Sequence, residues 1–159
     1  MNIEILCVGR LKEDYLKDAV SEYVKRLSKF CRIKIIETAD EKTMEGRAQA
    51  LDNKAKQLEG SRLIKNLRDD ALVVTLEIDG KMMSSPELAE LINDAGLNGK
   101  STIQFVIGGS LGLSDEVISR ADIHLSFSKM TFPHQLMRVI LLEQIYRGFK
   151  INANEPYHK

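Results

Sequence analysis

The sequence predicts an α/β fold with a mostly parallel sheet flanked by helices, in one domain covering residues 1–159. Short β-branched runs alternate with longer stretches whose apolar residues recur every three or four positions. No linker rich in Pro, Gly or Ser and no internal repeat interrupts that alternation. A chain of 159 residues, 43% hydrophobic and 29% charged, is long enough for one full core and short for two.

The elements follow in order. Asn2–Val8 reads as a strand, and Lys12–Phe30 as an amphipathic helix with Leu16, Val20, Tyr23, Leu27 and Phe30 on one stripe. Arg32–Thr38 is a second strand. A long helix is expected from Met44 to Leu58, extendable to Asn66. Ala71–Glu77 is a β-branched strand, closed by Asp79-Gly80 as a turn signal. Ser85 is read as the cap of a helix with Pro86 at its first position, ending near Asn93. Ser101–Ile107 is the fourth strand, Ser114 caps a short helix through Arg120, Ile123–Phe127 is a brief fifth strand, and Pro133–Lys150 is the last helix.

Charge and cysteine usage narrow the function classes. Lys+Arg and Asp+Glu are both 23, so no global field draws in nucleic acid, and an RNA partner would need a local patch. The best such cluster is Lys25, Arg26, Lys29, Arg32 and Lys34, which reads equally as a solvated face. Cys7 and Cys31, in or beside strands, read as buried thiols. The opening residues form a strand pattern rather than a signal peptide, and Val139–Leu142 is too short an apolar run to span a bilayer. A cytoplasmic protein without a membrane partner is the expectation. His124, His134 and His158 show no metal-ligand spacing, so no metal is expected.

The stretch FVIGGSLGLSDEV, Phe105 to Val117, places three glycines directly after a strand. Its G-G-x-x-G spacing, after the fourth strand, fails the dinucleotide fingerprint in both spacing and place. NGKST, Asn98 to Thr102, ends like a phosphate loop, but Asp94 occupies the leading glycine position and a strand follows it. No G-x-S-x-G nucleophile motif appears. The glycine loop is therefore either a non-phosphate ligand cradle or a tight strand-to-helix connection.

The final helix has an unusual surface. His134 and Arg138 lie about 40° apart on a sector that continues into Leu141, Ile145 and Phe149. Glu143, Arg147 and Lys150 take the opposite side, and Leu136, Met137 and Ile140 fill most of the rest. A helix apolar nearly all round predicts a subunit interface, with His134 and Arg138 at its mouth. Each also has a plainer reading: His134 as a surface or cap residue, Arg138 as a carboxylate partner, and NEPYHK as a frayed end.

Together FVIGGSLGL, SFSKMTFPHQLMRVILLEQIYRGFKI and the terminal NEPYHK, with the opening IEILCVGRLKEDYLKDAVSEYVKRL, resemble one family over the whole chain. It is the SPOUT-class RNA methyltransferases, and within them the ribosomal large-subunit pseudouridine methyltransferase H family. The resemblance implies an α/β knot, in which the C-terminal segment threads a loop to form a trefoil. It implies S-adenosylmethionine as cofactor, methylation of N3 of a pseudouridine in 23S ribosomal RNA, and a homodimer. It places the cofactor pocket at Leu76, Gly108, Phe127, Ser128, Lys129, Met130, Thr131 and Phe132. Glycines 108 and 109 are then expected to let backbone approach the ligand without a Cβ between them. His134 would be the base that removes the N3 proton, and Arg138 would stabilise the resulting anion or hold a phosphate. These roles could be exchanged with Tyr157 or His158. With no appended RNA-binding domain, the expected substrate is RNA in the assembled ribosome, recognised by shape. Two alternatives stay open on the residues themselves: a non-enzymatic ribosome-assembly or nucleotide-binding module, and a SPOUT enzyme with another RNA target.

Overall fold

A computed structural model describes residues 1–159. In chain order it contains β1 (Asn2–Val8), α1 (Asp14–Leu27), β2 (Arg32–Thr38), α2 (Gln49–Ile64) and β3 (Leu72–Met82), followed by α3 (Ser85–Leu97), β4 (Thr102–Ile107), α4 (Asp115–Arg120), β5 (Ile123–Ser126) and α5 (His134–Asn152). All five strands are parallel, in the order β2-β1-β4-β3-β5.

The two-residue alternation of a strand divides the core between two faces. Ile3, Ile5 and Cys7 of β1 and Ile103, Phe105 and Ile107 of β4 pack with α1, α3 and α5. Leu6, Val8 and Val106 face the other way, against Leu63 of α2 and Val117 of α4. Strands buried on both faces need apolar residues in succession, as in TIQFVI of β4. Gln104 interrupts that run and is fully buried. Its amide donates to Glu4 Oε2 at 2.6 Å and to the Asn66 carbonyl at 2.9 Å, so its polarity is matched.

Several boundaries differ from the sequence reading for local reasons. The helix expected from Met44 begins at Gln49, because Gly46 takes a left-handed φ of 75° and Ala48 is extended. The cap of α3 is Ser84 rather than Ser85: its hydroxyl accepts from Glu87 N while the Glu87 carboxylate accepts from Ser84 N. That reciprocal box, at about 1 kcal/mol, outranks a single cap one residue later. Asp79-Gly80 makes no chain reversal, since β3 continues to Met82.

The last helix requires a larger correction. Leu141 and Ile145 are fully buried within the chain's own core, where α5 packs on α1 and α3. Phe149 stacks on Phe30 with centroids 5.7 Å apart. The sector expected at a subunit interface is thus an intrachain face.

Candidate active site

Ligands of open parallel sheets bind beyond the carboxyl ends of strands, where successive connections leave for opposite faces. Here β3 feeds α3 on one face and β4 feeds α4 on the other, so a crevice opens between them. A cavity of about 340 Å³ lies there. Its walls come from four segments: the β3 stretch Leu76–Asp79, the glycine loop after β4, Phe127, Ser128 and Met130–Phe132 after β5, and His134 and Met137 of α5.

The first wall is a bulge. Leu76 and Lys81 both pair with Leu125, so residues 77–80 are extruded from the ladder and Glu77, Ile78 and Asp79 turn to the cavity. Gly80 permits this return, because a Cβ there would lie 2.7–2.9 Å from the backbone of His124 and Leu125. Ser126 fastens the bulge by donating to the Ile78 carbonyl at 2.9 Å. Ser128 accepts from Met130 N at 3.0 Å, which folds the third wall into a turn.

The glycine loop closes on itself. A Cβ on Gly108 would meet the Gly112 carbonyl carbon at 2.8 Å, and Gly112 holds a φ of 79°. A Cβ on Gly109 would approach Val8 Cγ1 at 3.1 Å and Glu59 Oε2 at 3.3 Å. The expectation that these two glycines make room for a ligand is therefore corrected: they make room for the protein's own backbone and core. Both glycines also line the cavity.

His134, the first residue of α5, is half-buried and lines the cavity. Lost hydration, and then the positive charge of Arg138, hold its pKa below the ordinary 6.5, with Asp40 opposing. That favours the uncharged imidazole, the form able to accept a proton. Arg138 does not reach the cavity. It is 1% exposed, donating from Nη1 to Glu37 Oε2 at 2.7 Å and from Nη2 to the Gly9 carbonyl at 2.7 Å. The expectation that it faces an acceptor is corrected: it shares its helical sector with Leu141 and Ile145, and that sector is the core face. It clamps α5 to the ends of β1 and β2.

Of the residues expected around a cofactor, Leu76, Gly108, Phe127, Ser128, Met130, Thr131 and Phe132 line this cavity and Lys129 does not. The profile of the family described as predicted SPOUT methyltransferase matches residues 1–158. The chain belongs to the SPOUT methyltransferase family. It is 61% identical, over 159 residues and the full length of both chains, to a protein of Clostridium novyi named Ribosomal RNA large subunit methyltransferase H. A protein of the same name from Bifidobacterium animalis subsp. lactis is also 61% identical over both full lengths. Among solved structures, a methylase family protein from Haemophilus influenzae superposes with a TM-score of 0.58 at 16% identity, covering 99% of this chain and 70% of that one. A Legionella pneumophila protein in complex with the bound cofactor SAM gives 0.50 at 11% identity, covering 96% of this chain and 66% of that one. At those identities the likeness is one of fold.

In this SPOUT methyltransferase the C-terminal tail is ordered against α5. Tyr157 donates to Glu143 Oε1 at 3.1 Å, packs edge-on to Tyr146 at 4.9 Å, and lies under the Arg147 guanidinium at 4.7 Å. Burial, then hydrogen bonding with Tyr23, pushes the Tyr157 phenol up to about 12, so at neutral pH it is a donor and not a base. His158 Nδ1 lies 3.4 Å from Arg147 Nη1. Glu143 is nine residues beyond His134, a rise of about 14 Å along the helix. One chain therefore does not bring Tyr157 and His158 to the cavity that His134 lines. Cys7 and Cys31 are buried and free, and burial raises the Cys7 thiol to about 12 and that of Cys31 to about 11. No helix is long and apolar enough to cross a membrane.

The sequence reading missed Glu77–Asp79 as cavity wall. The glycine at position 80 was the signal, but its short-range meaning as a turn competed with its meaning as a close approach.

Proposed function

We propose that this chain transfers the methyl group of S-adenosylmethionine to large-subunit (23S) ribosomal RNA, at N3 of a pseudouridine, acting as a homodimer on the assembled ribosome in the cytoplasm. The single observation that carries the chemistry is the strand-end cavity in a SPOUT methyltransferase, with a neutral imidazole at its edge. The identity to two large-subunit methyltransferases along the full chain supports the RNA class. Family membership likewise supports a single domain whose C-terminal segment is threaded as a trefoil knot.

The donor set fits the cofactor. The cavity's apolar side chains, among them Leu76, Ile107 and Phe127, suit a flat adenine. The exposed loop backbone at the ends of β4 and β5 suits its polar edges. S-adenosylmethionine carries no phosphate, which accounts for a glycine loop without a phosphate motif. When bound, it supplies an electrophilic methyl on a sulfonium. Leu76, Gly108, Phe127, Ser128 and Met130–Phe132 would hold it in place, with Lys129 outside the wall, so that alignment would contribute much of the rate. His134 accepts the N3 proton. Arg138 acts through position, fixing the first turn of α5 and lowering the His134 pKa. Tyr157 and His158 serve the acceptor side from the second subunit, since their own cavity is too far.

The dimer reading rests on exposed apolar side chains around the cavity rather than on Leu141 and Ile145. Met130, 73% exposed, and Ile78, 50% exposed, line the cavity, and Leu136 of α5 is 37% exposed. Calorimetry with S-adenosylmethionine, followed by labelled-methyl transfer to large subunits and to protein-free 23S RNA, tests the proposal. Cofactor affinity with incorporation favouring the assembled particle is expected. Absence of cofactor affinity would return the chain to a non-enzymatic assembly role.

A further inference from the structure

The segment extruded from β3 opens with a charged residue on the wall of a mainly apolar cavity. Glu77 lines that cavity directly after Leu76. Its side chain is 17% exposed, so the carboxylate is largely withdrawn from water and needs partners within the site. Those partners satisfy one oxygen only. Oε2 accepts from Thr75 Oγ1 at 2.5 Å and lies 2.5 Å from His124 Nδ1. A ring nitrogen that close to a carboxylate oxygen carries the proton, which sets the tautomer.

Thr75 is fully buried on β3, and His124 stands opposite it on β5. A cross-strand pair thus holds the carboxylate in one orientation. Oε1 accepts from no group of the chain. Sealed polar atoms without a partner occur on Asp52, Glu59, Thr102 and Arg138 and not on Glu77, so Oε1 is reachable. Asp79 also lines the cavity, but it is exposed and no partner orients it.

We propose that Glu77 is a cofactor-binding residue whose Oε1 accepts from the ribose hydroxyls of S-adenosylmethionine, with Thr75 and His124 as the residues that position it. The inference rests on the cofactor reading above. The cofactor has three sets of hydrogen-bond donors: the adenine amine, the ribose diol and the α-ammonium. Leu76 is the apolar wall assigned to the adenine, and the ribose is bonded to that ring, so the residue beside Leu76 meets the ribose next. An oxygen with two free lone pairs matches two vicinal hydroxyls, and its charge strengthens each bond over a neutral acceptor. A group held in place beforehand loses little freedom on binding. An acceptor-only group also repels the α-carboxylate, which favours one direction of entry for the cofactor.

The test is calorimetry of the full-length chain with S-adenosylhomocysteine, 5′-methylthioadenosine and the 2′,3′-dideoxy form of methylthioadenosine. Wild type, Glu77→Ala, Glu77→Gln and His124→Ala are compared, each with thermal unfolding in the absence of ligand. Methylthioadenosine keeps the adenine and ribose and lacks the α-ammonium. Glu77→Ala is expected to weaken S-adenosylhomocysteine and methylthioadenosine alike, by about 10-fold or more, and to leave the dideoxy form unchanged. Glu77→Gln keeps an oxygen for Thr75 and His124 but brings an amide N–H₂ to the Oε1 position. It should show the same pattern to a smaller extent, and it carries the test if the alanine variant does not fold. His124→Ala releases the carboxylate and should lose less, again only for ligands with the diol.

A merely structural glutamate would weaken all three ligands together, because a disturbed wall does not tell hydroxyls from hydrogens. Unchanged affinities, or equal losses for the diol and dideoxy ligands, would overturn the proposal. A loss confined to S-adenosylhomocysteine would also overturn it, by assigning Glu77 to the α-ammonium. A wild type that binds none of the three ligands would overturn the cofactor reading as well.

Discussion

His134 and Arg138 stand one helical turn apart on α5, yet one edges a cavity and the other is sealed in the core. Their spacing was legible in the sequence; the direction of their shared sector was not, because periodicity identifies a face without saying what covers it. The ion pair makes Arg138 a stability residue. Arg138→Ala would strand Glu37 and two backbone carbonyls, and we expect a loss of about 3 kcal/mol in denaturant unfolding. That is the low end for a buried pair, because the Glu37 side chain is 34% exposed. Arg138→Lys should recover only part of it, since an ammonium cannot reproduce the fork to Glu37 and Gly9. With His134 as the proposed base, its ionisation sets the pH dependence. With its pKa held below 6.5 by burial and Arg138, the basic form predominates at neutral pH and is lost as pH falls through that lowered value. The rate of methyl transfer should therefore show an acid limb with its midpoint below 6.5, absent from the residual activity of His134→Asn. A limb centred above 6.5 would show that another group is the base.

At the scale of elements, β1, β2 and β4 were legible to the residue or nearly so, because β-branched and apolar runs bounded by polar residues leave little choice. What escaped was the course of β3 beyond Glu77. A strand that leaves its ladder for four residues and re-pairs with the same Leu125 carries no local pattern, and Asp79-Gly80 resembles a hairpin turn. That departure builds one wall of the cavity. Gly80→Ala would drive a Cβ into the His124 and Leu125 backbone, and neither can yield without unpairing β5. We expect Gly80→Ala to abolish cofactor affinity by calorimetry and to lower the unfolding temperature. Gly108→Val should do both as well, since its Cβ would collide with Gly112 backbone. Loss of affinity with unchanged thermal stability would instead restore the view that Gly108 faces the ligand.

Across the whole molecule, α1, α3 and α5 cover one sheet face and α2 and α4 the other, with the cavity where the two layers part at β3 and β4. The alternation of strands and helices made this architecture readable. The strand order and the inward face of α5 were not, since both depend on pairings between distant segments. A tail read as open to fraying is also fixed, through Tyr157 on Tyr146 and Glu155 paired with Lys150. Two substitutions separate core from interface. Leu141→Asp buries an unpaired charge and should prevent folding, whereas Leu136→Asp, at a residue 37% exposed, should leave circular dichroism native and halve the mass seen by light scattering. A wild type of monomer mass would remove the dimer, and with it the delivery of Tyr157 and His158 from a second subunit.

The most direct test of the central claim is mass spectrometry of 23S ribosomal RNA from cells with and without the gene for this chain. Cells that retain it should carry a methyl group on one pseudouridine. Cells that lack it should show the same nucleotide lighter by one methyl, restored by wild type but not by Gly108→Val. An identical modification pattern in both strains would contradict the account.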